Sequence, residues 1–300
     1  MNIWCVSFLL LLSPLSLCGA ALGLHYGRDG ELTQYAAFEE WLGRALAYRV
    51  TFADKQTWND VRNPWPVASG ATKRWLEGDP MRREVLTVPL RIAAGTFAEN
   101  RDGDFEALGA KLKPFVGRVI VRLGWEANGN WYPWNYQTDP PGYKAAFRAA
   151  VIAIRRQAPL VLVDWNVSFR QTKVDWRLGY PGDDVVDIIS MDVYDYVASW
   201  ADLRDGVCGL QELRTFAAER GKAEAFPEWG VHRAGGGDSP AFVRNMHSWI
   251  QAGSVLYQAY WNHSDVGAAI FGTVDAPLAA AEYRKLFGSP LSPVNLVAEE

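Results

Sequence analysis

The sequence predicts a (β/α)8 TIM barrel in a single domain. Three observations carry that prediction. Strand-like apolar runs alternate with helix-like patterns about eight times along the chain. Most of the runs are continuously apolar, as in a parallel sheet covered on both faces. Polar and aromatic residues recur where the runs give out, and in a barrel those ends form one rim. A doubly wound sheet would carry a glycine-rich phosphate turn after its first strand, and Gly27-Arg28-Asp29-Gly30 is not one. The 300 residues are 49% hydrophobic, ample for one large core. No internal repeat, low-complexity tract or linker interrupts them, so one domain is expected over residues 21–300.

The first strand is Leu22 to Gly27, and Tyr35, Phe38 and Leu42 have helical spacing over Gln34 to Leu42. Strand two is Tyr48 to Phe52. Asp54 to Pro66 reads as a loop, with a short helix over Ala71 to Leu76. Strand three is Glu84 to Leu90, helix three Phe105 to Leu112, and strand four Arg118 to Leu123. Pro141 to Arg156 is an amphipathic helix opened by proline, a good first-turn residue. Strand five is Leu160 to Asp164, strand six Val186 to Met191, and strand seven Lys222 to Phe226. Helices over Leu210 to Arg220 and Ala276 to Phe287 are stopped by Gly221 and Gly288. Pro240 to Gln251 is a further helix, and Ser254 to Trp261 is strand eight.

The net charge is −4 and there is no long basic run, which argues against nucleic acid or an anionic membrane surface as partner. The four His are scattered, with no His-x-His pair and no Cys cluster, so no metal and no cofactor are expected. Met1 to Ala20 has a short apolar core, Phe8 to Leu12, and a small-residue end, Cys18-Gly19-Ala20. It reads as a signal peptide too short in its apolar run to span a bilayer, and a secreted or periplasmic location follows. Cys18 raises lipidation, against which Leu17 is too large a preceding residue. Removal of the signal leaves Cys208 as the lone cysteine, which cannot form an internal disulfide. A monomer is expected, with no membrane contact beyond the signal.

The organising stretch is Val119 to Trp134, a β-branched run that turns into an Asn-, Gly- and Pro-rich loop at Glu126. Aromatic surroundings should raise the pKa of that carboxyl, which suits a proton donor. The other strand ends add His25, Asp164 with Trp165 and Asn166, Asp192 with Tyr194, Glu228 with Trp229 and His232, and Trp261 with Asn262 and His263. Glu126 and Glu228 stand out as a pair. Glycoside cleavage needs two carboxyl groups flanking the bond, about 5–5.5 Å apart for retention and about 6.5–9.5 Å for inversion. Glu228 is read as nucleophile and Glu126 as acid/base; the alternative for Glu228 alone is a loop carboxylate pairing with Arg233. The 14 Trp and 12 Tyr offer flat faces for sugars. Trp125, Trp131 and Trp261 are the candidate stacking rings, Asn128, Asn166 and His25 the candidate hydroxyl partners. Arg122 would hold the nucleophile ionised and Asp192 would orient Arg122.

At these residues the chain resembles glycoside hydrolase family 26. Arg122, Glu126, Asn128, Gly129 and Trp131 fit its Arg-x-x-x-Glu-x-Asn-Gly-x-Trp pattern. Glu228-Trp229-Gly230 resembles its nucleophile segment, Ile189 to Tyr194 its strand six, and Trp261-Asn262 its strand eight. The resemblance implies a retaining barrel enzyme with Tyr194 beside the nucleophile and Trp261 as floor of the sugar site. One departure stands out: Trp125 occupies the place where mannanases of the family carry His before the acid/base. The expectation is an endo-acting enzyme on a β-linked polysaccharide or oligosaccharide, β-mannan-like or a bacterial exopolysaccharide. The alternatives are a metal-dependent barrel hydrolase, against which the scattered His argue, and a barrel that binds carbohydrate without cleaving it.

Overall fold

A computed structural model describes residues 20–27, 32–115, 117–169, 174–196 and 199–288. The signal-peptide expectation for Met1 to Ala20 lies almost wholly outside them. Eight strands close into a barrel in sequence order: β1 Ala21–His25, β2 Tyr48–Phe52, β3 Arg83–Val88, β4 Val119–Leu123, β5 Leu162–Ser168, β6 Ile188–Tyr194, β7 Ala223–Gly230 and β8 Val255–Trp261. Every neighbouring pair is parallel, and β1 closes on β8 through Ala21 to His25 against Tyr257 to Trp261.

The helices are α1 Leu32–Leu42, α2 Trp58–Arg62, α3 Trp65–Ala68, α4 Ala71–Glu77, α5 Asp102–Leu112, α6 Pro140–Gln157, α7 Trp200–Asp205, α8 Leu210–Glu219, α9 Pro240–Gln251 and α10 Pro277–Phe287. Among the described residues, none is long and apolar enough to cross a membrane. The stretch read as a loop before Pro66 holds α2. A Thr57–Asp60 capping box starts it, a signal that the apolar spacing of so short a helix does not announce. α7 is a similar case, started by the Ser199 hydroxyl, which accepts from the Asp202 N–H.

β4 shows why the strands read as continuous apolar runs. Val119, Val121 and Leu123 pack outward against the helices, while Ile120 points into the barrel with Val50, Val85, Ile188, Ala225 and Tyr257. Both faces are buried, so hydrophobicity does not alternate. Arg122, the next inward residue, is wholly buried at the upper end of that interior.

Strands five, six and seven extend beyond their apolar runs, to Ser168, Tyr194 and Gly230. Asp164, Asn166, Asp192 and Glu228 therefore lie within strands. A count of apolar residues stops early because the upper barrel interior is polar.

Candidate active site

The 124–137 segment after β4 is held by its own carbonyls. Gly124 O accepts from Tyr143 Oη at 3.4 Å, Trp125 O from Trp134 Nε1 at 2.7 Å, and Glu126 O from Gly129 N at 3.0 Å. Ala127 O accepts from Tyr136 N at 3.0 Å and Asn128 O from Gln137 Nε2 at 3.0 Å. This lacing maintains a left-handed backbone at Glu126, φ +49°. Such a conformation costs a non-glycine residue about 1–3 kcal/mol and persists only where its surroundings over-determine it. Gly124 is also left-handed, at φ +54°, and a Cβ there would stand 2.9 Å from Leu90 Cβ.

Glu126 lines a cavity of about 390 Å³ with Glu228, Asp192, Tyr194, Trp131, Tyr132 and Trp261. Trp131 donates from Nε1 to Glu126 Oε2 at 2.7 Å, and Asn166 Oδ1 accepts from the Glu126 N–H at 3.0 Å. Burial pushes the Glu126 carboxyl up, and the charge of Glu228 adds to the rise. The Trp131 and Ser168 hydrogen bonds and Arg122 oppose it, leaving a pKa of about 7.

Glu228 is differently placed. It is only 6% exposed. Its Oε1 accepts from Arg122 Nη2 in a close contact, and its Oε2 from Tyr194 Oη at 2.9 Å. Arg122 Nη1 also reaches Asp192 Oδ1 at 3.3 Å, and Asn166 Nδ2 donates to the same oxygen at 3.1 Å. Burial raises the Asp192 carboxyl well above its usual range despite Arg122. Burial and the nearby carboxylates likewise push up the Tyr194 phenol, which stays a donor.

The residues expected from the sequence thus divide. Glu126, Glu228, Asp192, Tyr194, Trp131 and Trp261 line one cavity. Arg122 and Asn166 lie beneath it and hold the carboxylates or the backbone carrying them. Four expected sugar contacts are corrected by the geometry. Asn128 is fully buried and turns its amide to β5 and Cys208, accepting from Ser168 N and donating to Ser168 O, each at 2.8 Å, and to Cys208 Sγ at 3.8 Å. Trp125 is buried among Phe52, Tyr132 and Trp134, 3% exposed, and does not line the cavity. His25 lies beneath the floor: its ring stacks on Trp261 at 4.0 Å, and Nδ1 lies 3.0 Å from Val50 O. Burial lowers the His25 pKa to about 4, so it is neutral. Asn166 is corrected likewise, since its amide reaches Glu126 N, Ser190 Oγ and Asp192. Arg233 binds the carbonyls of Ser264 and Asp265, leaving Glu228 to Arg122.

The lining also includes Phe52, Tyr132, Ser168, Phe169, Tyr196, Asp265 and Val266. Ser168 lies four positions beyond the predicted end of strand five at Asp164, and Tyr132 sits in the loop after β4 with no motif to single it out. Asp265 lies past the last strand and carries no local signal. Among the described residues, no group of three or more His, Cys, Asp or Glu could hold a metal ion.

The model of glycosyl hydrolase family 26 matches residues 110–251, a stretch that holds both Glu126 and Glu228. Residues 110–251 form a family 26 glycosyl hydrolase segment. The protein is a glycosidase. Solved structures agree in fold. The Cellulomonas fimi endo-β-1,4-mannanase double mutant superposes with a TM-score of 0.66 at 18% identity, covering 91% of this chain and 71% of that one. The catalytic domain of the Bacillus sp. JAMB-750 endo-β-1,4-mannanase gives 0.62 at 18% identity, covering 90% and 84%. The Bacillus subtilis mannanase BCman gives 0.59 at 14%, covering 88% and 86%. For a family 26 glycosidase, the cavity at the carboxyl ends of the strands is where a barrel enzyme carries its chemistry.

Proposed function

We propose that this family 26 enzyme is a secreted, retaining, endo-acting β-glycoside hydrolase working by double displacement, with Glu228 as nucleophile and Glu126 as acid/base. The observation that carries the reading is the contrast between the two carboxyl groups of one cavity. Glu126 has a pKa of about 7 and holds a proton near neutrality. Glu228 is kept as an acceptor by Arg122 and Tyr194. In the first step a Glu228 oxygen bonds to the anomeric carbon, the glycosidic C–O bond breaks, and the leaving oxygen takes the proton of Glu126. In the second, Glu126 takes a proton from water, the water oxygen bonds to the anomeric carbon, and the ester to Glu228 breaks. Glu228 loses its charge in the covalent intermediate, which removes one cause of the high Glu126 pKa. The acid of the first step thereby becomes the base of the second.

Trp261, backed by His25, is the proposed floor for the reacting sugar, and Trp131 both stacks sugar and donates to Glu126. The mannanase neighbours make β-1,4-mannan the first glycan to try, with a bacterial exopolysaccharide second. Trp125 bears on that choice: it packs under the rim where a mannanase His would meet substrate, so the site lacks that contact. The test is a panel of β-mannans, β-glucans, xylans and exopolysaccharides assayed for new reducing ends, with proton NMR of the first product. Retained anomeric configuration is expected. Inversion would refute the nucleophile, and binding without new reducing ends would favour a barrel that only binds carbohydrate.

A further inference from the structure

The segment after β8 brings to the cavity a carboxylate that double displacement does not use. Asp265 lines the cavity with Trp261 and is about half exposed. Its Oδ1 accepts from Trp261 Nε1 at 2.9 Å and from Val266 N at 2.7 Å, and His263 Nδ1 lies 3.0 Å from the same oxygen. Among the described residues these contacts all fall on Oδ1, which leaves Oδ2 as the oxygen available to a ligand.

The segment is fixed in place. Arg233 N donates to Val266 O at 2.9 Å, Ala268 N to His263 O at 3.2 Å, and Gly267 N to Ser264 O at 3.2 Å. The Arg233 guanidinium adds contacts to the carbonyls of Ser264 and Asp265. Burial raises the Asp265 carboxyl, but hydrogen bonds from Trp261 Nε1 and Val266 N and the neighbouring His263 imidazole outweigh it and hold the group below the usual carboxylate range. An ionised acceptor is therefore anchored at the edge of an aromatic face. A sugar stacked on such a face presents its hydroxyls around the ring edge, where an acceptor of this kind meets them.

We propose that Asp265 is a specificity residue that accepts a hydrogen bond, through Oδ2, from a ring-edge hydroxyl of the sugar stacked on Trp261. The inference rests on the glycosidase reading of this cavity and adds a substrate class to it. The sugar at that position carries a free hydroxyl, and an acetyl or methyl group there would leave Oδ2 facing an oxygen with no proton to give.

The test compares wild type with Asp265→Asn and Asp265→Ala, using 1,4-β-mannohexaose as probe. In Asp265→Asn the amide oxygen can keep the contacts to Trp261 and Val266 while an NH2 donor replaces the acceptor facing the sugar. A purely structural role would leave that variant unchanged. The expected result is a fall in kcat/KM on the order of tenfold or more in both variants, with Asp265→Asn melting like wild type. Equal kcat/KM in wild type and Asp265→Asn overturns the inference. If wild type does not turn over the hexaose, it is the proposed reaction on that glycan that has failed. The inference is then read by calorimetry of the hexaose with Glu228→Ala, with and without Asp265→Asn: weaker binding in the double variant supports it, and equal affinity or no binding to either overturns it.

Discussion

The ends of β4 and β7 carry the same functional group in opposite settings. At the end of β4, Glu126 sits partly open on a left-handed backbone, with its proton stabilised by burial and by a nearby negative charge. At the end of β7, Glu228 is walled in, with a guanidinium on one oxygen and a phenol on the other. The difference teaches that position in the barrel, more than residue type, sets what a carboxyl group can do. A group that holds its proton near pH 7 can give it away; one that accepts from a cation and a phenol keeps its lone pairs for attack.

The sharpest way to break this comparison is to delete each carboxylate in turn. Glu228→Ala should lower turnover on the order of 10⁴-fold or more on every substrate, because its carboxylate is the group that bonds to the anomeric carbon in the proposed first step. Glu126→Ala should lose about 10²–10⁴-fold on polysaccharide, the range of general acid–base catalysis, but much less on an aryl glycoside with a good leaving group. Steady-state rates on both substrate types check this, and equal losses for the two variants on the aryl glycoside would erase the distinction drawn between the sites.

A second prediction separates holding from binding. Asn128→Ala removes both hydrogen bonds to the Ser168 peptide and should cost about 2–4 kcal/mol of stability, while leaving KM nearly unchanged. Chemical denaturation measures the first quantity and kinetics the second. A large rise in KM without loss of stability would restore Asn128 as a sugar contact.

The smallest expected effect is in pH. Glu126 must be protonated to act as acid, so kcat/KM should fall as pH rises through about 7. The Trp131 N–H stabilises the ionised carboxylate and lowers that pKa, so Trp131→Phe should move the alkaline limb to higher pH. A pH–rate profile decides it: a limb that stays put while KM rises would make Trp131 a stacking surface alone.

The barrel, its eight strands and the Glu126–Glu228 pair were legible in the linear chain. Continuous apolar runs and polar strand ends are consequences of burying a parallel sheet on two faces around a polar mouth. The division of labour below the rim was not legible. Asn128 and Asn166 look alike as amides after strands, yet one clamps β5 and the other holds Glu126 N and Asp192. Trp125, Trp131 and Trp134 share one short segment, yet only Trp131 reaches the cavity. Asp265 had no motif at all. Local sequence sets which residues arrive at a strand end, through burial and backbone preference. Which of them face substrate, and at what pKa, depends on neighbours brought from other strands, as Arg122 is to Glu228 across 106 positions of chain. Only the closed barrel sets those contacts.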